Sequence, residues 1–183
     1  IDEAHATGVF GERGAGVAEE QGVERDIDIV VGTLSKALGG VGGFIAAARP
    51  IIDWIINTGG PFIYTTAIPP AACAAAMAAL DIVEREPQRR YRVLESAVRV
   101  RESLQGLGWN TGVSRSQIIP VIVGDAEQAV VLSRRLEESG LLVPAIRPPT
   151  VPRGSSRLRI SLSSDHTDKD IGQLIDFFAS VNH

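Results

Sequence analysis

Lys36 is the side chain in this sequence with the widest chemical reach. It stands in Leu34-Ser35-Lys36-Ala37-Leu38, between an apolar run and the glycines Gly39, Gly40, Gly42 and Gly43. A lysine amine that loses its proton in a desolvated setting can attack a carbonyl and form a Schiff base, which a guanidinium cannot. The basic residues number 18, of which sixteen are Arg and two, Lys36 and Lys169, are Lys. Nucleotide bias accounts for a preference for arginine, but it does not choose where a lysine survives. The plain alternative is a solvated turn lysine. Asp2 and His5, in D-E-A-H, put a carboxylate and an imidazole three residues apart. Such a pair can bind metal, act as acid and base, hold a heteroaromatic ring, or simply satisfy itself structurally. A metal centre is not expected, because the other histidines, His166 and His183, fall in the final segment and Cys73 is the one cysteine. Toward the other end, Arg157, Arg159 and Ser161 alternate with Leu158, Ile160 and Leu162. By itself that pattern reads as a half-exposed strand with a solvated basic face.

The elements that must position these groups follow from pattern. An apolar run over 28–33 reads as a buried strand, and 44–48 as its return strand. A short helix is expected over 50–57, with Pro50 in its first turn. Another starts at Pro69-Pro70, is rich in small residues, and ends near Arg85 where Glu86-Pro87 breaks it. The stretch 88–107 predicts a long amphipathic helix with Tyr91, Leu94, Val98 and Leu104 on its apolar face. Strands are expected over 118–123, 141–146 and 157–162. Asp125 with Gln128 and Thr167 with Asp170 mark two helix starts, the first helix running to Ser139 before Gly140 and the second to Val181. The chain divides into one unit over 1–85 and a second, helices on a small sheet, over 86–183.

Composition narrows the classes. With 183 residues, 44% hydrophobic and 22% charged, there is enough apolar material for one large or two small cores. A formal net charge of -4 argues against a nucleic-acid binder held by phosphate contacts. The Ala-rich stretch 71–80 is too short to span a bilayer and is followed by Asp81, Glu84 and Arg85, so no membrane partner is expected. One cysteine excludes an internal disulfide framework, and with no secretory signal the expected compartment is a reducing cytoplasm. Ile1-Asp2-Glu3 opens like the middle of a protein.

The motifs together are specific. D-E-A-H-A-T-G-V-F-G followed by D-I-V-V-G-T-L-S-K-A-L-G-G-V-G-G-F resembles the cofactor-binding half of the α-oxoamine synthases, pyridoxal 5'-phosphate (PLP) enzymes of the aspartate-aminotransferase fold. The resemblance continues through F-I-Y-T-T-A-I-P-P-A and R-P-P-T-V-P-R-G-S-S-R-L-R-I-S-L to the last helix. It implies an α/β fold: the C-terminal part of a PLP-dependent transferase large domain over 1–85, then a small α/β domain over 86–183. It also implies roles for individual residues. Asp2 bonds the pyridinium nitrogen, His5 contacts the phenolic oxygen, and Thr33 bonds the phosphate. Lys36 carries the cofactor as a Schiff base and moves protons at the substrate α-carbon. Thr65 and Thr66 reach the phosphate of a neighbouring subunit's cofactor, so a homodimer with a shared site is expected. Arg159 takes the amino-acid carboxylate, Arg157 stays structural, and Thr150 contacts substrate.

The family condenses an amino acid with an acyl thioester carried on coenzyme A or an acyl-carrier protein. The stretch A-I-R-P-P-T-V-P, with I-I-P-V-I-V-G-D before it, is most similar to the biotin-pathway branch. That branch joins L-alanine to a pimeloyl thioester and releases CO2 and the thiol carrier. Sister branches use glycine or serine with other acyl groups. Non-catalytic partners in the family typically lack the Schiff-base lysine, so Lys36 favours an enzyme. The family's Gly-rich phosphate segment and ring-stacking aromatic lie upstream of D-x-x-H. The resemblance therefore implies a C-terminal piece, inactive by itself.

Overall fold

Val31 and its neighbours form the first strand of a computed structural model that describes residues 1–181. His183, weighed above as a metal ligand, lies outside the described residues. The chain forms two compact units, the first Ile1–Arg90 and the second beginning at Tyr91.

In the first unit, β1 (Ile29–Thr33) pairs antiparallel with β2 (Gly43–Ala47), from Ile29 opposite Ala47 to Thr33 opposite Gly43. Between the unit's start and β1 lie a one-turn helix, α1 (Val17–Glu20), and a 3-10 turn, Glu24–Asp26. Neither has a periodic apolar signal long enough to announce it. Three helices follow: α2 (Arg49–Thr58), α3 (Gly60–Ile63) and α4 (Pro70–Arg85). Each opens with a proline in its first turn, where a missing N–H leaves no helical hydrogen bond unmade.

The expectation of a buried first strand is corrected. Ile29 and Val31 are exposed, and Gly32 is the one buried residue of β1. A strand apolar on both sides is buried only when layers cover both faces, and residues 1–90 supply too few. The core of this unit is small: Ala6, Val9, Phe10, Ala18, Leu38 and Ala76. Helices α2 and α3 bury no residue, and the small-residue helix α4 buries only Ala76. Trp54, Phe62, Tyr64 and Met77 all stand exposed.

The second unit is better filled. Helix α5 (Gln88–Gly106) enters it, and β3 (Ile118–Gly124), α6 (Ala126–Glu138), β4 (Ala145–Ile146), β5 (Ser156–Ser161) and α7 (Asp168–Ser180) complete it. The sheet order is β3-β5-β4, all antiparallel. Val100, Leu104, Ile119, Val121, Leu136, Leu158 and Phe178 form its centre. Trp109 sets its ring edge-on to Phe178 at 5.1 Å and donates its indole N–H to the Phe178 carbonyl at 3.3 Å.

Two expectations here are corrected. The buried face of α5 is Val93, Ala97, Val100 and Leu104, whereas Tyr91 and Val98 are exposed. Steps of four, three and four residues keep one line along the helix. Tyr91, Leu94 and Val98 follow the adjacent line, and Leu104 belongs to the first. The strand expected over 141–146 shrinks to Ala145–Ile146. Pro144 has no N–H to give a ladder, and its carbonyl instead accepts from Arg159 N at 2.9 Å. Thr167 and Asp170 make the expected reciprocal capping box on α7, and Asp125 accepts from Gln128 N at 2.9 Å on α6. Among the described residues, no helix is long and apolar enough to cross a membrane.

Candidate active site

Two backbone hydrogen bonds lay the first residues along β1. Val31 N donates to Ile1 O at 2.9 Å, and Glu3 N donates to Val31 O at 2.7 Å. Asp2 thus forms a parallel bridge with Val31, two residues before Thr33 on the same strand. The D-E-A-H segment begins where a parallel pairing ends, and the chain then curls, with Ala6 N and Thr7 N both donating to Glu3 O. Asp2 Oδ1 accepts from Ala4 N at 2.8 Å, which orients the carboxylate and leaves Oδ2 open. His5 lies exposed in that curl.

Glu3, a residue no motif had singled out, holds this segment in place. Its side chain is 1% exposed, and its two oxygens accept from Val17 N at 3.0 Å and Ala18 N at 2.8 Å. A carboxylate at these first-turn N–H groups answers donors that the helix itself cannot. Gly16 makes the approach possible: its φ is +130°, and a Cβ there would come within 2.6 Å of the Glu3 carboxyl carbon. The donors arrive from fourteen and fifteen residues away, so no local signal marked Glu3.

Beyond β1 the chain makes the lysine turn. Leu34 N donates to Gly42 O at 2.9 Å, Gly40 N to Leu34 O at 2.6 Å and Gly39 N to Lys36 O at 3.0 Å. Buried Leu38 anchors the turn. Lys36 is exposed and its side-chain amine has no hydrogen-bond or ion-pair partner among the described residues, so the desolvation expected around it is not supplied by these residues. Thr33 Oγ1 donates to Gly42 O at 3.0 Å and meets Ser35 Oγ at 2.8 Å.

Two contacts bring other segments to this turn. A Cβ on Gly8 would lie 3.1 Å from Ala37 Cβ, so the D-E-A-H-A-T-G loop abuts the residue after Lys36. A Cβ on Gly42 would lie 2.7 Å from Ile68 Cδ1, which brings in the segment carrying Thr65 and Thr66. Both threonines are exposed. Asp2, His5, Thr33, Lys36, Thr65 and Thr66 therefore sit on adjoining segments of one unit.

Thr150 and Arg159 belong to the second unit, on the hairpin joining β4 to β5. Arg159 is paired with Pro120 across the sheet, and its guanidinium has no partner among the described residues. Arg157 stands opposite Ile122 and Ile146 and turns its Nε to Ser155 O at 3.0 Å. Thr150 is exposed in the connecting turn, its N–H bonded to Arg147 O at 3.0 Å. Leu158 and Ile160 are buried while Arg157 and Arg159 are half-buried, as alternation predicts. Among the described residues, no three His, Cys, Asp or Glu side chains cluster as a metal site.

The sequence matches the aminotransferase class I and II family over residues 1–178. The chain belongs to that family. It is 44% identical over 181 residues to an 8-amino-7-oxononanoate synthase from Anaeromyxobacter dehalogenans, a match covering 99% of this chain and 46% of the relative. A relative of the same name from Geobacter sulfurreducens is 45% identical over 183 residues, covering 99% of this chain and 47% of the relative. The chain thus spans about half the length of these relatives. Among solved structures it is similar to a Sphingomonas wittichii serine palmitoyltransferase, with TM-score 0.92 and 38% identity over 98% of this chain and 46% of the other. It is also similar to a Francisella tularensis 8-amino-7-oxononanoate synthase, with TM-score 0.86 and 29% identity over 98% of this chain and 53% of the other. A serine palmitoyltransferase from S. paucimobilis, at TM-score 0.93 and 34% identity over 98% of this chain and 46% of the other, was solved with bound PLP and myriocin. The α-oxoamine synthase resemblance and the α/β PLP-transferase fold are borne out by these relatives, and this is a PLP-dependent family.

The residues of the first unit fit that cofactor by the chemistry of their donor set. Lys36 is an unengaged amine for an aldehyde. Asp2 has an open carboxylate oxygen for a pyridinium N–H. Thr33 offers a hydroxyl for a phosphate.

Proposed function

We propose that the whole protein condenses L-alanine with a pimeloyl thioester, carried on coenzyme A or an acyl-carrier protein, to give 8-amino-7-oxononanoate, CO2 and the free thiol. The observation that carries this reading is the placing of Asp2 beside β1, whose end leads through Thr33 into the glycine turn with Lys36. Bound there, PLP supplies an electron sink for charge developing at the amino-acid α-carbon. Lys36 Nζ is the amine that holds the cofactor, and once displaced by the substrate amine it is the base that takes the α-proton. The Asp2 carboxylate keeps the ring nitrogen protonated, because a negative charge beside it favours the charged form. His5 orients the ring through its phenolic oxygen, and Thr33 holds the phosphate. Arg159, a planar fork with no partner among the described residues, binds the alanine carboxylate, and Thr150 contacts the substrate from the same hairpin. Thr65 and Thr66 reach the site of a second copy, making the active unit a homodimer with shared sites. Exposed, unpaired Cys73 suits a reducing cytoplasm.

A second reading is favoured by the serine palmitoyltransferases among the structural relatives, which are more identical to this chain than the 8-amino-7-oxononanoate synthase structure. It keeps every residue role and changes the pair to serine, or glycine, with another acyl-CoA. Both readings are tested on the full-length protein. Borohydride reduction with PLP bound, followed by peptide mapping, is expected to place the phosphopyridoxyl group on Lys36. The ratio kcat/KM is expected to be highest for alanine with pimeloyl thioester. A label on another lysine would end the assignment of Lys36, and a preference for glycine or serine would transfer the protein to a sister activity.

A further inference from the structure

The hydroxyl of Thr33 is more heavily engaged than a phosphate ligand needs to be. Its oxygen accepts Ser35 N–H at 3.2 Å, lies 2.8 Å from Ser35 Oγ, and donates to Gly42 O at 3.0 Å. A hydroxyl has one proton and two lone pairs. With the proton of Thr33 committed to Gly42 O, the contact between the two hydroxyls has one consistent direction: Ser35 O–H donates to Thr33 Oγ1. Ser35 is exposed and could give that proton to water, yet both its N–H and its O–H converge on Thr33.

Gly42 O has two donors. It accepts from Leu34 N at 2.9 Å as well as from Thr33. If Thr33 withdraws its proton, this carbonyl keeps a donor and the turn keeps its closing bond. Gly40 N to Leu34 O, at 2.6 Å, is untouched by the change. The proton of Thr33 therefore has somewhere to go without leaving an orphan behind.

We propose that Ser35 is a positioning residue that acts through Thr33. Its two donors fix Thr33 Oγ1, and the single proton of Thr33 becomes a two-position switch, on Gly42 O without the cofactor and on a phosphate oxygen with it. The proposal rests on the reading that this turn holds the phosphate of PLP. A hydrogen bond to an anion is roughly twice as strong as one to a neutral carbonyl, which drives the proton across. Accepting from Ser35 polarises the Thr33 O–H and strengthens that donation. The phosphate thus removes one of the cross-links that close the turn around Lys36.

The test compares PLP with pyridoxal, which lacks the phosphate, in binding titrations of the full-length protein. Ser35→Ala is expected to weaken PLP about tenfold and leave pyridoxal unchanged, and Ser35→Thr to restore PLP affinity. Thr33→Ala is expected to weaken PLP further, and adding Ser35→Ala to it to cost nothing more, because a residue acting through Thr33 has nothing left to act on. Additive losses would mean that Ser35 holds the phosphate directly, and the proposal would fall. Equal loss for both ligands would mark general damage to the turn and would also overturn it. A wild-type protein that prefers PLP while Ser35→Ala matches it overturns this proposal alone. A wild-type protein with no preference for PLP over pyridoxal overturns the reading of the turn and this proposal together.

Discussion

Arg159 and Arg157 are two residues apart on β5, on the same face of the sheet, and differ in what they touch. Arg157 spends its Nε on Ser155 O, whereas Arg159 has no partner among the described residues. The proposed role of Arg159 needs a bidentate fork, which an ammonium cannot reproduce. Arg159→Lys in the full-length protein is expected to weaken alanine binding by about tenfold or more while PLP binding holds. Arg157→Lys is expected to change neither appreciably. Titrating alanine into both variants checks this, and equal affinities would refute the division of labour. At this same scale the structure adds Glu3, whose buried carboxylate ties the D-E-A-H segment to α1.

Among the elements, α7 has the most completely specified start. Thr167 Oγ1 accepts from Asp170 N at 3.2 Å, and Asp170 Oδ2 accepts from both Thr167 N and Thr167 Oγ1 at 2.7 Å. The Thr167 hydroxyl and then its backbone N–H hold the Asp170 carboxyl below its ordinary value of 3.8, with some opposition from burial. A carboxylate whose folded value is depressed stabilises the fold above its unfolded value, and that stabilisation is lost as pH falls through the folded value. The α7 contribution is therefore expected to be full at neutral pH and to fade below about pH 4. Thr167→Ala is expected to cost about 1 kcal/mol of stability in the second unit. Denaturant titrations at pH 7 and pH 3 check both points: the variant should fall short of the parent at pH 7 and approach it at pH 3. A gap that persisted undiminished at pH 3 would show that the carboxylate is not part of the cap.

At the scale of the molecule, the two units are unequally built. The second has a continuous core drawn from three helices and two strands, with Phe178, Leu104, Ile119, Leu136 and Leu158 fully buried. The first leaves Trp54, Phe62, Tyr64, Met77 and the Ile29–Val31 face of β1 uncovered, and the chain spans about half the length of its relatives. Apolar surface of that extent calls for a covering layer. Residues 1–183 expressed alone are expected to show slow amide exchange in the second unit, fast exchange in the first, weak PLP uptake and no CO2 release. Exchange mass spectrometry with an absorbance titration and a CO2 assay would decide it, and sustained turnover would show that the uncovered faces do not limit the site.

The residue types determined the chemistry that was open to this protein. A lysine in a glycine turn, the D-E-A-H carboxylate and imidazole, the alternation along β5 and the Thr167–Asp170 cap all act over one to four residues, the range in which backbone periodicity and side-chain reach are legible in sequence. The same local rules located β1, β2, α4 and α6 closely. They could not choose which line of α5 is buried, because Tyr91, Leu94 and Val98 have helical spacing as good as that of Val93, Ala97 and Val100, and only the elements packed against the helix break the tie. Nor could they show that β1 stays exposed, since apolarity says that a strand can be covered and not whether a layer arrives. The parallel bridge of Asp2 to Val31, the burial of Glu3 and the closure of the Thr33 hydroxyl on Gly42 were tertiary decisions. Each joins groups nine or more residues apart, a separation at which the partner is selected by where the whole chain brings its backbone donors and acceptors.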